Sequence, residues 1–141
     1  MVHFMISTKA RYALRVMIDL AQNQENNYVP LKEIAKRQEI SEKYLETILK
    51  LLVKGGLLTG LRGKGGGYRL TRLPQDYTVR EIIELTEGPL APVACLLPDA
   101  SPCCRKDNCL SLPLWENYHA LITDFFNRIT LLDVIHGNYP S

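Results

Sequence analysis

The fold is decided by residues 40–70, which read ISEKYLETILKLLVKGGLLTGLRGKGGGYRL. Ser41 is a good helix N-cap, and apolar residues follow it at helical spacing, which predicts an amphipathic helix. A pair of glycines then ends that helix. Two short apolar segments, residues 57–61 and 67–70, flank a glycine-rich basic turn. This pattern predicts a β-hairpin with a flexible tip.

Two further helices are predicted upstream of this segment. Residues 9–22 carry apolar side chains around much of the circumference, as in a helix that packs on several sides, with Ser7 or Thr8 as its cap. Pro30 opens a shorter helix over residues 31–38. Two helices joined by a tight turn and followed by a basic hairpin are typical of a winged helix-turn-helix. The predicted fold class is therefore mainly α with a small β-hairpin wing and a long C-terminal helix.

Charge is unevenly distributed along the chain. The net charge is only +2, but residues 1–80 contain 14 Lys and Arg against 7 Asp and Glu, whereas residues 81–141 contain 3 against 8. A basic first half indicates a module that binds a polyanion, and ordinary solvated faces are the alternative. Lys43 and Lys50 suit phosphates, Glu46 and Thr47 suit base edges in a major groove, and the hairpin tip suits phosphates or a minor groove.

All four cysteines lie in a segment without helical or strand periodicity, residues 89–110, which also holds four prolines. A loop of this length is usually functional or disordered. Crowded thiols in a reducing cytosol favour a cluster, a metal or thiol chemistry over structural disulfides. Low-pKa thiols beside Arg105 and Lys106 would act as direct redox switches, zinc is a further alternative, and a loop without a sensing role is the last.

A long amphipathic helix is predicted from Ser111 onward, with apolar residues at steps of three and four through Leu132. A helix this apolar needs a partner, either its own domain or a second subunit, and the subunit interface is favoured. The predicted dimer-interface residues are Leu114, Tyr118, Leu121, Ile122, Phe125 and Ile129. The domain division is then 1–88 for DNA binding, 89–110 for the cysteine loop, and 111–141 for the dimerisation helix and tail.

Several stretches resemble the IscR/NsrR/CymR family of bacterial repressors. They include Ile6-Ser7-Thr8-Lys9-Ala10-Arg11-Tyr12, Ile40-Ser41-Glu42-Lys43-Tyr44-Leu45-Glu46 and Arg62-Gly63-Lys64-Gly65-Gly66-Gly67-Tyr68. The last is a rather specific signature of that family's wing. Leu114-Trp115 resembles the start of its dimerisation helix, so the resemblance covers nearly the whole chain.

The resemblance implies a homodimeric repressor or activator that binds palindromes in double-stranded promoter DNA. Together with the exposed positions above, it gives the predicted DNA-binding set of Ser41, Glu42, Lys43, Tyr44, Glu46, Thr47, Lys50, Arg62, Lys64 and Gly65. Family members with three loop cysteines hold an iron–sulfur cluster, so a [2Fe–2S] cofactor is expected. Members without those cysteines sense through protein partners.

The predicted cluster ligands are Cys95, Cys103, Cys104 and Cys109. The spacing from Cys103 to Cys109 is typical of the family, the spacing from Cys95 to Cys103 is two residues longer, and Cys104 is an extra neighbour. A fourth ligand is open, because Leu112 stands where some members place a histidine and Arg11 where others place an acidic residue. Its candidates are the fourth cysteine, Asp107, Glu116 and His119.

The function expected from the sequence is sequence-specific transcriptional regulation, as a repressor that senses iron–sulfur, redox or nitrosative state. The alternative is a thiol, metal or protein-interaction module that does not bind DNA. An enzyme is not expected, because no nucleophile has a base partner and the histidines are scattered. The first residues do not resemble a secretory signal, and no apolar stretch is long enough for a bilayer, so a cytoplasmic protein without membrane contact is expected.

Overall fold

The computed structural model describes residues 6–103 and 105–140. Helices α1 (Thr8–Asn23), α2 (Leu31–Gln38) and α3 (Glu42–Lys54) precede an antiparallel hairpin of β1 (Leu58–Leu61) and β2 (Gly67–Leu70), and α4 (Val79–Glu87), α5 (Leu112–Arg128) and α6 (Leu131–His136) follow. This order confirms the winged helix-turn-helix predicted from the sequence, including its long C-terminal helix. Within the described residues, no helix has the length and apolar character needed to cross a membrane.

The helix boundaries follow from capping residues. The Ser7 hydroxyl accepts a hydrogen bond from the Ala10 amide at 3.1 Å, and Thr78 forms a reciprocal capping box with Glu81. Each such cap contributes about 1 kcal/mol to stability. The first strand begins one residue later than predicted, because the Leu57 amide bonds back to the Leu52 carbonyl at 2.9 Å and so still belongs to the end of α3.

The core forms around α1, which contacts α2, α3 and α4. One face of α3 supplies Leu45, Ile48, Leu49 and Leu52, all fully buried. Burial of one such leucine or isoleucine side chain contributes about 1.5–3 kcal/mol. The turn between α2 and α3 is closed by Glu39, whose φ of 55° is left-handed, and by the buried side chain of Ile40. These contacts fix the angle between α2 and α3.

The C-terminal part differs from the prediction. The helix expected to run through Leu132 ends at Arg128, because Thr130 caps a new helix, α6, in a capping box with Asp133. Ile129 is 2% exposed and packs with Ala10, Val79 and Ile83 of its own chain. The prediction of Ile129 as a dimer-interface residue was therefore wrong, because the helical spacing continued across a break in the helix.

After the break, the chain packs again on the helices and hairpin of residues 6–88. The Val79 amide donates to the Ile129 carbonyl at 2.8 Å, and the Leu131 amide donates to the Tyr77 carbonyl at 3.0 Å, which makes a β-bridge between Thr78 and Thr130. Leu131 is fully buried in the main core. The chain therefore leaves this part of the fold after α4, passes through the loop and α5, and rejoins it at the bridge between Thr78 and Thr130, which we call the return bridge.

Candidate nucleic-acid interface and thiol pocket

Helix α3 turns a polar face to solvent at its N-terminal half. The Ser41 hydroxyl accepts from the Tyr44 amide at 3.2 Å, which starts the helix at Glu42. Because the opposite face is buried in the core, side chains at the intervening positions point outward. The exposed residues of the predicted set on this helix are Ser41, Glu42, Lys43, Glu46, Thr47 and Lys50. The prediction that this face is available to a ligand agrees with their exposure.

Two of these side chains contact each other in the free protein. The Lys50 ammonium lies 3.2 Å from the Glu46 carboxylate, and their side chains are 74% and 53% exposed. An exposed pair at this spacing contributes only about 0.3–0.5 kcal/mol. Lys50 can therefore exchange its carboxylate partner for a phosphate at little cost, and Glu46 is then free to accept from a base.

Tyr44 has a different environment from the rest of the predicted set. It is half-buried, and its ring centroid lies 5.9 Å from that of Tyr12 on α1, over which the Arg15 guanidinium sits at 4.9 Å. Such tilted aromatic pairs add about 0.5–1.5 kcal/mol beyond area burial. Tyr44 thus packs α3 against α1, in addition to any contact it makes with DNA.

The tip of the hairpin exposes two cations on a backbone with little bulk. Arg62 and Lys64 are exposed and alternate with Gly63 and Gly65, whose φ angles of +90° and +78° lie in the left-handed region. Glycine adopts this region without the steric cost that a Cβ brings. The turn therefore presents both side chains from a narrow loop, as close approach to a nucleic-acid backbone requires.

The base of the hairpin is bonded to the helix-turn-helix. Val29 and Tyr68 exchange two backbone hydrogen bonds of 2.9 Å each, and Val29 precedes Pro30, the N-cap residue of α2. A Cβ on Gly67 would lie 2.2 Å from the Val29 carbonyl oxygen, so only glycine fits there. The wing is consequently fixed relative to α2 and moves with it.

A buried carboxylate that was not predicted from the sequence holds the end of α2, just before the turn that leads into α3. Asp19 of α1 is 2% exposed and accepts hydrogen bonds of 2.9 and 2.8 Å from Arg37 and of 2.8 Å from Gln38. Arg15 in turn donates to the Gln38 side chain at 3.0 Å. These bonds join α1 to the last turn of α2, just before the turn to α3. The available signal was a lone acidic residue within the apolar stretch from Val16 to Ala21.

Tyr77 is a second connecting residue outside the predicted set. Its buried hydroxyl donates to the Leu57 carbonyl at 2.8 Å and accepts from the Thr71 and Arg72 amides at 2.9 Å each. Its own carbonyl accepts from the amide of Leu131, the first residue of α6, so Tyr77 contacts both ends of the hairpin and the return bridge. Tyr77 therefore connects the wing physically to the C-terminal part of the chain.

Three of the predicted cluster ligands meet in one pocket, which we call the thiol pocket. Cys95, Cys103 and Cys109 line a cavity of about 240 Å³ at the start of α5. The Ser111 hydroxyl, 3.5 Å from the Cys109 sulfur, lowers the pKa of that thiol. Cys104 lies outside the described residues. Among those that are described, no three His, Cys, Asp or Glu side chains are placed closely enough to hold one metal ion.

Local contacts hold the cysteine loop. Its only regular pieces are single 3₁₀ turns at Ala94–Leu96 and Lys106–Asn108 within the described part. The backbone hydrogen bonds of its described residues, such as Leu97 to Ala94 and Lys106 to Cys103, join positions no more than three apart. Segments with so few long-range contacts open at low free energy. The described part of the cysteine loop is therefore held less firmly than the helices around it.

Helix α5 exposes most of its apolar surface. None of its 17 residues is buried in a single chain. Leu114 and Leu121 are 60% and 67% exposed, and Tyr118 and Phe125 lie between and beyond them at steps of four and three. Ile122 is half-buried against the rest of the chain. Contiguous exposed apolar surface of this kind marks an interaction site.

Taken together, the fold and the exposed surfaces define a winged helix-turn-helix transcriptional regulator. The chain belongs to the Rrf2 family, described as iron-dependent transcriptional regulators, whose model matches residues 6–137. This membership confirms the family resemblance seen in the sequence. Family members are named as regulators and not as enzymes, in agreement with the expectation for this chain.

Individual relatives are similar over most of the chain. The HTH-type transcriptional regulator IscR of Klebsiella pneumoniae strain 342 is 36% identical over 132 residues, covering 94% of this chain and 80% of the relative. The structure of CymR, the global cysteine regulator of B. subtilis, superposes with a TM-score of 0.75 at 35% identity, covering 97% of this chain and 98% of CymR. The structure of T. potens IscR superposes with a TM-score of 0.71 at 36% identity, covering 94% of this chain and 87% of that protein.

Proposed function

We propose that this protein represses transcription by binding palindromic promoter DNA as a homodimer, and that a [2Fe–2S] cluster held by its loop cysteines controls that binding. The observation that carries the proposal is the exposure of one polar helix face and one cationic wing tip on a rigid domain. Both belong to the predicted DNA-binding set. The domain division at residues 88 and 110 belongs to the same proposal.

Each part of the DNA interface has a separate role. The polar face of α3 enters the major groove, where Glu46 and Thr47 meet base edges and Lys43 and Lys50 meet phosphates. The wing tip follows the adjacent backbone, with Arg62 in the minor groove and Lys64 on phosphates. The hydrogen bonds between Val29 and Tyr68 support this arrangement, because they hold the wing at a fixed distance from α2.

The exposed stripe of α5 is the proposed dimer interface, formed by Leu114, Tyr118, Leu121, Ile122 and Phe125. A two-fold axis along this stripe brings the α5 helices of two subunits together and places two recognition helices on one DNA molecule. Dimers of helix-turn-helix proteins bind half-sites about one helical turn apart, or a multiple of it. The operator is therefore an inverted repeat.

The donor chemistry of the thiol pocket fits an iron–sulfur cluster. Thiolates are the usual ligands of such clusters, and Cys95, Cys103 and Cys109 line one cavity. When bound, the cluster supplies one-electron redox chemistry and sensitivity to oxidants and nitric oxide. The cysteines would hold it between the loop and the first turn of α5. Because α5 ends at the return bridge, a change in the loop acts on Tyr77 and the wing through backbone contacts.

Salt dependence tests the DNA-binding part of the proposal. Double-stranded DNA selected from a random pool gives the operator, and fluorescence anisotropy gives its affinity at several salt concentrations. Arg62→Ala and Lys64→Ala are expected to weaken binding, with a decrease of about 1 in the salt slope for each lost phosphate contact. Arg128→Ala, at the exposed end of α5, is the matched control. Equal slopes in all variants would mean that the wing tip makes no phosphate contact, and failure to select any DNA would favour a module that does not bind DNA.

The sensor part is tested separately with protein handled without air. Operator affinity is measured for the cluster-loaded and cluster-free wild type and for Cys109→Ala. A difference of at least about tenfold between the two wild-type forms, absent in the variant, is expected, since coupling energies of 1–3 kcal/mol are typical. Operator affinity that is the same in every redox condition would overturn this part and leave DNA binding intact.

A further inference from the structure

Besides its three thiols, the thiol pocket contains an oxygen donor, the carboxylate of Glu116. Besides the three cysteines, Glu116 and Leu112 of α5 and Lys106 of the loop line it. Leu112 and Glu116 are four residues apart, so they lie one turn apart on the same face of the helix. Leu112 stands at the position where some family members place a histidine ligand, and its apolar side chain cannot bind a metal. The same helix face carries a carboxylate one turn further on.

Two of the other open candidates, His119 and Asp107, do not line this pocket. His119 lines a separate cavity with Arg80 and Glu84, between α4 and α5. Asp107 lies on the 3₁₀ turn before Cys109 and is not part of the pocket wall. Of the described candidates, only Glu116 therefore shares a cavity with the three thiols.

Glu116 also lacks the partners that hold neighbouring carboxylates. On α4, Glu81 and Glu84 pair with Arg72 and Arg80, and on α5 Asp124 pairs with Arg128 at 2.9 Å. No hydrogen bond or ion pair joins the Glu116 carboxylate to another described residue. A free carboxylate is an oxygen donor that iron accepts alongside softer ligands. Lys106 in the same wall offsets part of the negative charge that three thiolates and a carboxylate would bring.

We propose that Glu116 is the fourth ligand of the cluster, so that three thiolates and one carboxylate complete the site. This assignment rests on the proposed cluster at the loop cysteines. Such a donor set would be asymmetric, with three sulfurs from the loop and one oxygen from α5. Because Glu116 lies on α5 and the three cysteines lie in the loop, the carboxylate would tie the loop to that helix.

The experiment compares cluster uptake in variants reconstituted without air. Iron and sulfide per chain, the visible absorption and circular dichroism bands, and the reduction midpoint potential are measured for the wild type, Glu116→Ala, Glu116→His, Asp107→Asn, His119→Ala and Cys104→Ser. Glu116 is exposed in the single chain, so its replacement leaves the core intact. Far-ultraviolet circular dichroism and operator binding of the cluster-free form check that each variant folds.

The expected result is specific to a ligand. Glu116→Ala loses more than half of the bound iron and changes the visible bands, whereas Asp107→Asn and His119→Ala keep both. Glu116→His retains the cluster with a raised midpoint potential, because a neutral ligand replaces an anionic one. A residue that merely supports the loop would not move the potential.

Two outcomes separate the inference from the function on which it rests. A wild type that takes up no cluster would overturn both. A wild type that takes up a cluster, with Glu116→Ala identical to it in iron content, spectrum and potential, would overturn the inference alone. Loss of the cluster in Cys104→Ser under those conditions would assign the fourth position to the extra cysteine instead.

Discussion

The segment from Ile6 to Gly88 and the segment from Pro89 to Arg128 are held together differently. In the first, the helices and hairpin bury their apolar faces against one another, and contacts such as Asp19 with Arg37 and Val29 with Tyr68 join distant positions. In the second, no residue of α5 is buried in one chain, and the loop hydrogen bonds are local. The first segment buries its apolar faces within one chain, whereas the second leaves the apolar stripe of α5 and the described thiols of the loop exposed or half-buried, which is where the proposed second subunit and the proposed cluster would bind.

The largest difference between the two segments concerns stability. Leu52→Ala, in the core beside α1, is expected to lower the free energy of unfolding by about 3 kcal/mol through lost burial and a cavity. The matched change Leu97→Ala, in the loop at 38% exposure, is expected to cost less than about 0.5 kcal/mol. Urea denaturation of both variants measures this contrast. Similar losses would mean that the loop is part of the core.

The next effect concerns association. Leu121→Lys places a charge on the most exposed leucine of the α5 stripe and leaves the single chain folded. The dimer dissociation constant is expected to rise about 100-fold, equivalent to about 2.7 kcal/mol, as measured by sedimentation equilibrium. Asn127→Lys, on the same helix outside the stripe, is the control. If Leu121→Lys and its control dimerise equally well, the interface lies elsewhere.

An intermediate effect is expected at the connection between the segments. Tyr77→Phe removes the buried hydroxyl and leaves the Thr71 and Arg72 amides without their partner, at a cost of about 1–3 kcal/mol. Tyr68→Phe, at a half-buried ring of the wing, is the comparison and is expected to change stability by less than about 0.5 kcal/mol. Thermal unfolding provides the measurement. If Tyr77→Phe leaves the stability unchanged, the Tyr77 hydroxyl does not contribute to the proposed connection between the return bridge and the wing.

The smallest effect depends on pH. Burial acts to raise the pKa of Glu81, but hydrogen bonds from Arg72 and Thr78 outweigh it and leave that pKa below its ordinary value. A lowered folded-state pKa means that the stabilisation is complete above the unfolded pKa and disappears as the pH falls through the folded one. Since both side chains are about one-third exposed, it amounts to about 0.5–1 kcal/mol.

Glu81→Gln measures this contribution. At pH 7 the variant is expected to have a lower free energy of unfolding than the wild type. This difference should shrink as the pH falls toward 3. Glu33→Gln, at an exposed carboxylate 3.7 Å from Arg37, serves as the control. A difference that grows as the pH falls would contradict the assigned direction.

The elements of the first segment could be predicted from the sequence because local signals and long-range packing agree there. Ser41 and Pro30 mark helix starts, and the glycines of the wing mark its turn, and the structure places each at the expected position. The end of α5 could not be predicted from periodicity alone, since apolar spacing continued through Ile129. Thr130 and Asp133 carried the missing signal as a capping box.

The residue types of the candidate site could be predicted from the sequence, but the hydrogen-bond partners of individual residues could not. The thiols and the charged face of α3 were evident from composition and spacing. The roles of Asp19 and Tyr77 were not, because each depends on hydrogen bonds to residues brought close only by folding. Glu116 and His119 were equal as candidates in the sequence, and only their placement in different cavities separates them.

The return bridge has a consequence for how this chain tolerates insertions. Because residues 88–128 form an excursion anchored at both ends, its length contributes to stability only through loop-closure entropy, which grows with the logarithm of length. Two extra residues in about 40 cost about 0.05 kcal/mol by that relation. The longer interval between Cys95 and Cys103 is thus nearly neutral for folding, and the spacing of the thiols can change while the helices and hairpin of residues 6–88 keep their structure.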